Sequence, residues 1–125
     1  MYDKQLVSEI LRQINDAVQK VAYRFESIRT AEDFINSPGG MEKLDSICMQ
    51  LIAIGESIKN LDKITGNRLL KKYSEIDWKG VKGLRDIISH HYFDVDAEEI
   101  FWVCKNQIPL LSETVKQRFE NFLTE

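Results

Sequence analysis

The sequence predicts an all-α protein, an up-and-down bundle of four main helices with short accessory helices. Three observations predict it. Apolar residues recur at steps of three and four through four segments, the period that lines one face of a helix. Alternation of apolar and polar residues, the mark of a half-buried strand, is found over no useful length. Between the periodic segments lie Gly, Pro, Asn and Asp, residues that break helices or cap them.

Leu6, Ile10, Ile14, Val18, Val21, Phe25 and Ile28 form the first stripe and predict a helix from about Asp3 to Arg29. Thr30-Ala31-Glu32-Asp33 can cap a short turn carrying Phe34 and Ile35. Ser37-Pro38-Gly39-Gly40 then predicts a loop, because proline removes a backbone donor and glycine is costly to order. Met41, Leu44, Ile47, Cys48, Leu51, Ile54, Gly55, Ile58 and Leu61 resume the helical period, with Thr65-Gly66-Asn67 as the stop. A short helical piece follows at Arg68 to Tyr73. Asp77 is placed to cap a third helix bearing Trp78, Val81, Leu84, Ile87 and Ile88, which ends at Phe93-Asp94-Val95. Gly80 and Gly83 within it each cost about 1 kcal/mol relative to Ala, so another backbone or a ligand is expected to come close there. Asp96 with Glu99 resembles a capping box and opens a last segment through Ile100, Phe101, Val103, Cys104, Ile108, Leu111, Val115, Phe119 and Phe122. Pro109 sits inside that segment and is expected to kink or divide it.

At 125 residues and 43% hydrophobic, the chain has the size of one domain spanning 1–125. Cys48 and Cys104 are far apart in sequence and fall in no CxxC or Cys/His spacing, so they read as buried apolar thiols rather than a disulfide or zinc framework. No apolar run approaches the roughly 18 residues that span a bilayer. The start, Met1-Tyr2-Asp3-Lys4-Gln5, lacks the layout of a signal peptide, and a cytoplasmic location is expected. The net charge of -3 argues against a general nucleic-acid coat protein. Its distribution points the other way: from Arg68 to Arg85 six cations (Arg68, Lys71, Lys72, Lys79, Lys82, Arg85) face two anions (Glu75, Asp77). Such a patch can hold a polyanion, and it can equally be a solvated helix face.

The densest chemistry is Arg85-Asp86-Ile87-Ile88-Ser89-His90-His91-Tyr92, which puts a guanidinium, a carboxylate, two imidazoles and a phenol within about two helical turns. Arg holds and neutralises phosphate, while His exchanges protons near neutral pH. The spacing Arg85, four residues, His90, one residue, Tyr92 resembles the R-x-x-x-x-H-x-Y signature of the HepT-like toxins, a branch of the HEPN ribonuclease superfamily. The similarity extends further. Ile54-Gly55-Glu56-Ser57 resembles that family's Ile-Gly-Glu-Ala element, Trp78 with Gly83-Leu84-Arg85-Asp86 its Trp followed by Gly-x-Arg-Asn, and Phe101-Trp102 with Ile108-Pro109-Leu110-Leu111 its closing helix.

The resemblance implies a HEPN-type homodimer that cuts RNA without a metal or cofactor, using Arg and His in a cleft at the dimer interface. It also implies an MNT-type nucleotidyltransferase antitoxin that transfers AMP from ATP to the motif tyrosine. Arg85 would then be the phosphate-stabilising cation, His90 the catalytic imidazole and Tyr92 the AMP acceptor. Asp86 stands where the family often has Asn, and Glu56 matches the family pattern without a role to assign.

The chemistry can be argued without the family. When a 2′-hydroxyl attacks the neighbouring phosphorus, catalysis needs a base at that hydroxyl, an acid at the leaving 5′-oxygen and positive charge on the phosphoryl oxygens. Arg85 and His90 supply those groups. Five residues at 100° each place them about 140° apart on a regular helix. They converge only if the helix loosens near His90, if Arg85 wraps, or if a second subunit brings its own motif across a two-fold axis. Asp86 and His90, four apart, can meet, and the carboxylate would favour the protonated ring. Arg85 and Tyr92, seven apart, share a stripe about 10 Å apart along the axis if the helix persists. An AMP on Tyr92 would then compete with RNA for Arg85.

Lys79, Lys82 and His91 are candidate RNA contacts, and Trp78 and Trp102 read as core or interface aromatics. Plainer roles stay open for each: a surface salt bridge for Arg85, a capping or core residue for His90, a buried aromatic for Tyr92. So does a non-catalytic function, in which the same bundle docks a nucleotidyltransferase or a nucleotide.

Overall fold

The computed structural model describes residues 3–68, 70–73, 76–90 and 95–119, apart from the side chains of Lys72, His90, Arg118 and Phe119. Every regular element among them is helical. Helix α1 spans Lys4–Phe25, capped by the Asp3 carboxylate, which accepts from the backbone N–H groups of Gln5 and Leu6. It stops four residues before the expected end. The Asp33 carboxylate accepts from the N–H groups of Arg29 and Thr30 at 2.8 and 3.1 Å, drawing both donors out of a helical ladder. Those two donors hold the Asp33 carboxyl below the usual carboxylate range. Val7 and Leu11 join Ile10, Ile14, Ala17, Val18 and Val21 on the buried face, whereas Leu6 is exposed.

A 3-10 turn, Ala31–Phe34, sets the fully buried Phe34 as a plug beside Phe25. Helix α2 follows at Pro38–Ile64. The loop expected at Ser37-Pro38-Gly39-Gly40 is the first turn of α2. Ser37 Oγ accepts from the Gly40 N–H at 3.0 Å, and Pro38 occupies the first helical position, where its missing donor would have had no partner. A Cβ on Gly40 would collide with the Asp33 carbonyl, so the glycine lets the 3-10 turn sit on the helix start. Met41, expected in the apolar stripe, is exposed, and the stripe begins at Leu44. At the other end Gly66 and Asn67 both adopt positive φ (61° and 62°), and the Asn67 N–H reaches back to the Asp62 carbonyl at 2.9 Å.

The expected piece near 68–73 is a 3-10 turn at Leu70–Lys72. Helix α3, Trp78–His90, begins as expected with Asp77 as cap, its carboxylate accepting from the Gly80 N–H at 3.1 Å. The expected end at Phe93-Asp94 lies outside the described residues. Asp96 caps α4, Ala97–Trp102, accepting from Glu98 and Glu99. A π-helical turn at Val103–Gln107 leads without a break into α5, Ile108–Glu113, and a second π turn, Thr114–Phe119. Pro109, expected to kink or divide the pattern, thus interrupts the α-helical ladder with a π turn while the rod continues. The Ile108 N–H bonds five residues back to Val103, a widened turn that accommodates a proline whose ring would otherwise clash with the carbonyl four residues earlier.

The last rod returns along α1, with Phe101 packed at a tilt against Phe25 (5.3 Å between ring centroids) and Gln19 donating to Ser112 Oγ at 2.9 Å. The core runs through all four rods. Cys48 and Cys104 lie in it as free thiols, and burial pushes their pKa values up to about 11 and about 12, the state of inert core residues.

Helices α2 and α3 run antiparallel and meet closest at Gly55. A Cβ there would lie 3.0 Å from the Val81 carbonyl oxygen and 3.6 Å from the Arg85 nitrogen, so the two backbones touch through the missing side chain. The close approach expected at Gly80 and Gly83 is therefore supplied by Gly55. Gly80 faces its own cap, Asp77, and a methyl group placed on Gly83 would meet nothing within 4 Å. Gly83→Ala is expected to stabilise the fold by up to about 1 kcal/mol through helix propensity alone. Gly55→Leu is expected to cost about 1–3 kcal/mol by overpacking. Urea midpoints of the two variants check both signs.

Candidate functional site

Arg85 projects from α3 at the level of Gly55, and the next residue of α2, Glu56, receives it. Arg85 Nε lies 3.0 Å from Glu56 Oε1, with both side chains about half exposed. This gives Glu56 the role that the sequence left unassigned: it aims the guanidinium. Asp86 Oδ1 is 4.0 Å from Arg85 Nη1, at the outer limit of an ion pair, so Asp86 contributes negative charge beside the guanidinium without a close bond. The Nη groups remain open to solvent-side acceptors, and a guanidinium offers five donors in a fixed fork.

His90 is the last residue of α3, so the helix does not loosen before it. Its side chain, and all of His91 and Tyr92, lie outside the described residues. The expected contact of Asp86 with His90 falls with them.

Lys82, a candidate RNA contact, instead donates to Asp62 Oδ2 at 2.9 Å across the α2–α3 seam, with side-chain exposures of 30% and 15% for the pair. The Asn67 amide, oriented with its nitrogen inward by its hydrogen-bonding network, also donates to Asp62 at 2.9 Å. Lys79 is exposed in the first turn of α3. Trp78 is half-buried and donates its indole N–H to the Tyr73 carbonyl at 2.8 Å, a packing role. Trp102 is 54% exposed. With Ile87, Leu84 and Val103 it lines an apolar depression of about 140 Å³ on the flank of α3.

Among the described residues no group of three or more His, Cys, Asp and Glu side chains could hold a metal ion. Among them, too, no helix is long and apolar enough to cross a membrane.

Residues 7–118 match the family described as ribonuclease HepT-like, and the chain belongs to that family. A protein of Caldanaerobacter subterraneus subsp. tengcongensis named "putative RNase" is 30% identical over 102 residues, covering 80% of this chain and 85% of that protein. A "putative RNase" of Methanocaldococcus jannaschii is 29% identical over 101 residues, covering 81% of this chain and 74% of the relative. Another protein of that organism, named "gamma-glutamylcyclotransferase and putative RNase", is 34% identical over 92 residues, or 74% of this chain and 38% of the longer protein. No solved structure matches the chain.

The Glu56–Arg85 pair is exposed, so it is worth at most about 1 kcal/mol to the fold. Glu56→Gln is therefore expected to leave the urea midpoint nearly unchanged while freeing the guanidinium. The measurement is the Arg85 Nε–H nuclear magnetic resonance signal, which should sharpen and move toward the solvent-averaged position in the variant.

Proposed function

We propose that the chain is an endoribonuclease toxin in which Arg85 and His90 cleave RNA without a metal, in a cleft shared by two copies of the chain. The observation that carries this is the Arg85 guanidinium, tethered through Nε by Glu56, with only the Asp86 carboxylate, 4.0 Å away, near its Nη groups among the described residues, on a helix that continues to His90. Membership of a ribonuclease family supports the substrate class.

The 2′-hydroxyl attacks the adjacent phosphorus, losing its proton to a base. The P–O5′ bond breaks as the 5′-oxygen takes a proton from an acid, leaving a 2′,3′-cyclic phosphate and a 5′-hydroxyl. His90 serves in proton transfer, and Arg85 neutralises the phosphoryl oxygens as charge grows on them. Asp86, beside the guanidinium, supports the site by favouring the protonated imidazole.

Two features favour a homodimer. Arg85 leans to α2, and five residues of regular helix carry the His90 backbone about 140° further round the axis, so a second copy offers a route for bringing a guanidinium and an imidazole to one phosphate. The exposed Ile87 and Trp102 form an apolar surface on the same helix and its neighbour, which a two-fold partner would cover. The domain is then the whole chain, 1–125, acting in pairs. Its regulator is an MNT-type nucleotidyltransferase antitoxin that places AMP on Tyr92, adding a phosphate that competes for Arg85 and a nucleoside that fills the cleft.

Purified chain is expected to cut RNA in the presence of a chelator. Arg85→Ala and His90→Ala should each slow cutting by at least about 100-fold with unchanged helical content; full activity in both variants would refute the mechanism, and a chain that binds the antitoxin tightly but never turns over RNA would instead be a docking module. Incubation with the nucleotidyltransferase and ATP is expected to add one AMP-sized mass to the intact chain. That gain should vanish in Tyr92→Phe, and an adduct that persists there would place the modification elsewhere.

A further inference from the structure

A shallow groove of about 590 Å³ lies between the last turns of α2 and the first half of α3. Four lysines line it, Lys59 and Lys63 from α2, Lys79 and Lys82 from α3, with Asp62 and Gly83 among its other residues. A second depression of about 400 Å³ shares Lys59 and Lys63 and reaches Glu56, the partner of Arg85. The two form one path along α2 from Glu56 to Gly66, about 15 Å at the rise of a helix.

The charges on this path divide into two kinds. Lys82 is spent on Asp62, the only carboxylate among the described residues that line the larger groove. Lys59, Lys63 and Lys79 are exposed, and among the described residues none has a carboxylate within ion-pair distance. Lys59 and Lys63, four apart, lie on one face of α2 and repel one another, a cost that a bound polyanion removes. The missing side chain at Gly83 keeps the wall of the groove low, with open space where a Cβ would stand. Lysines on flexible stems hold a run of phosphates as point charges and read no bases.

We infer that this groove is a backbone-tracking subsite for single-stranded RNA: Lys59, Lys63 and Lys79 take phosphates to one side of the scissile phosphate at Arg85, while Asp62 holds Lys82 back as part of the groove wall. The inference rests on the ribonuclease reading for the identity of the polyanion. An acidic surface of a protein partner is the competing occupant. RNA is favoured because the path ends at Glu56, whose partner is the Arg85 guanidinium, and because its charge is spread along a line rather than gathered round an apolar anchor.

The test uses a fluorescein-labelled twelve-nucleotide oligouridylate and full-length chain carrying Arg85→Ala, so that the probe is not cut. Anisotropy is read over a range of salt concentrations. Each of Lys59→Ala, Lys63→Ala and Lys79→Ala is expected to flatten the plot of log Kd against log salt by about 0.7, the release expected per phosphate contact on a single strand. The triple variant should bind at least about tenfold more weakly at low salt. Lys20→Ala, on the exposed face of α1, should change neither quantity. An unchanged slope in the triple variant overturns the subsite. So does a triple variant that keeps its RNA slope and loses only the nucleotidyltransferase, which would assign the groove to a protein. Cleavage by chain with an intact Arg85 is measured beside this: cleavage with unaltered slopes refutes the groove alone, and altered slopes in a chain that never cuts refute the ribonuclease reading alone.

Discussion

The contact on which the site depends is the one at Gly55, where α2 and α3 touch backbone to backbone. Because no Cβ intervenes, the Val81 carbonyl comes to 3.0 Å from where one would be, and the neighbouring side chains of the two helices are forced into register. One residue on, Glu56 meets Arg85; two turns on, Asp62 meets Lys82. The two ion pairs differ in what they can do. Asp62 and Lys82 are less exposed and bridge α2 to α3, so that pair fastens the seam. Glu56 and Arg85 are half exposed and contribute at most about 1 kcal/mol, so a phosphate offering charge-assisted bonds to the Nη fork competes on favourable terms. A glycine thus sets a distance, the distance sets a register, and the register leaves one arginine aimed yet exchangeable.

Much of the fold was legible because it follows from apolar period and cap chemistry. Asp77 and Asp96 cap the helices that the sequence assigned to them, the first helix starts next to Asp3 as expected, the resemblance to the HepT-like family is matched over residues 7–118, and Cys48 and Cys104 are core thiols. The departures have local causes. Pro38 and the two glycines after it read as a breaker, since a proline signal is the same whether it ends a helix or occupies the first position of one; Ser37 one residue earlier is what decides it. Helix α1 stops early because Asp33, from the following turn, captures two N–H groups, a competition no periodicity reveals.

The site was legible in its residues and not in their pairings. Arg85, Asp86 and Lys82 could be picked out from spacing and charge, but the partners of Arg85 and Lys82 come from α2, some twenty to thirty residues away in sequence. Glu56 matched a pattern without a meaning until α3 was laid across it. The glycines show the same limit. Gly80 and Gly83 drew notice for being inside a helix, yet the one that permits close packing is Gly55, whose cost is hidden in a longer and more apolar helix. Lys59 and Lys63 carry no motif and gain interest only from the groove they share with Lys79.

Charge arrangement also constrains how an AMP on Tyr92 could silence such a site. The chain as a whole carries -3, so a polyanion gains nothing by approaching most of its surface and is drawn to the place where lysines gather. One AMP phosphodiester brings a single negative charge, against three lysines in the groove that no carboxylate among the described residues neutralises. Screening over about 8 Å at physiological salt confines that charge to its immediate neighbourhood. On the proposed reading, such a modification would therefore leave the lysine groove attractive to RNA and would act by competing for Arg85, whose pair with Glu56 is exposed and exchangeable. On that reading the silenced state would still bind RNA without cutting it, because the exchangeable pair at Arg85 and the less exposed pair at Lys82 are separate contacts along one helix seam.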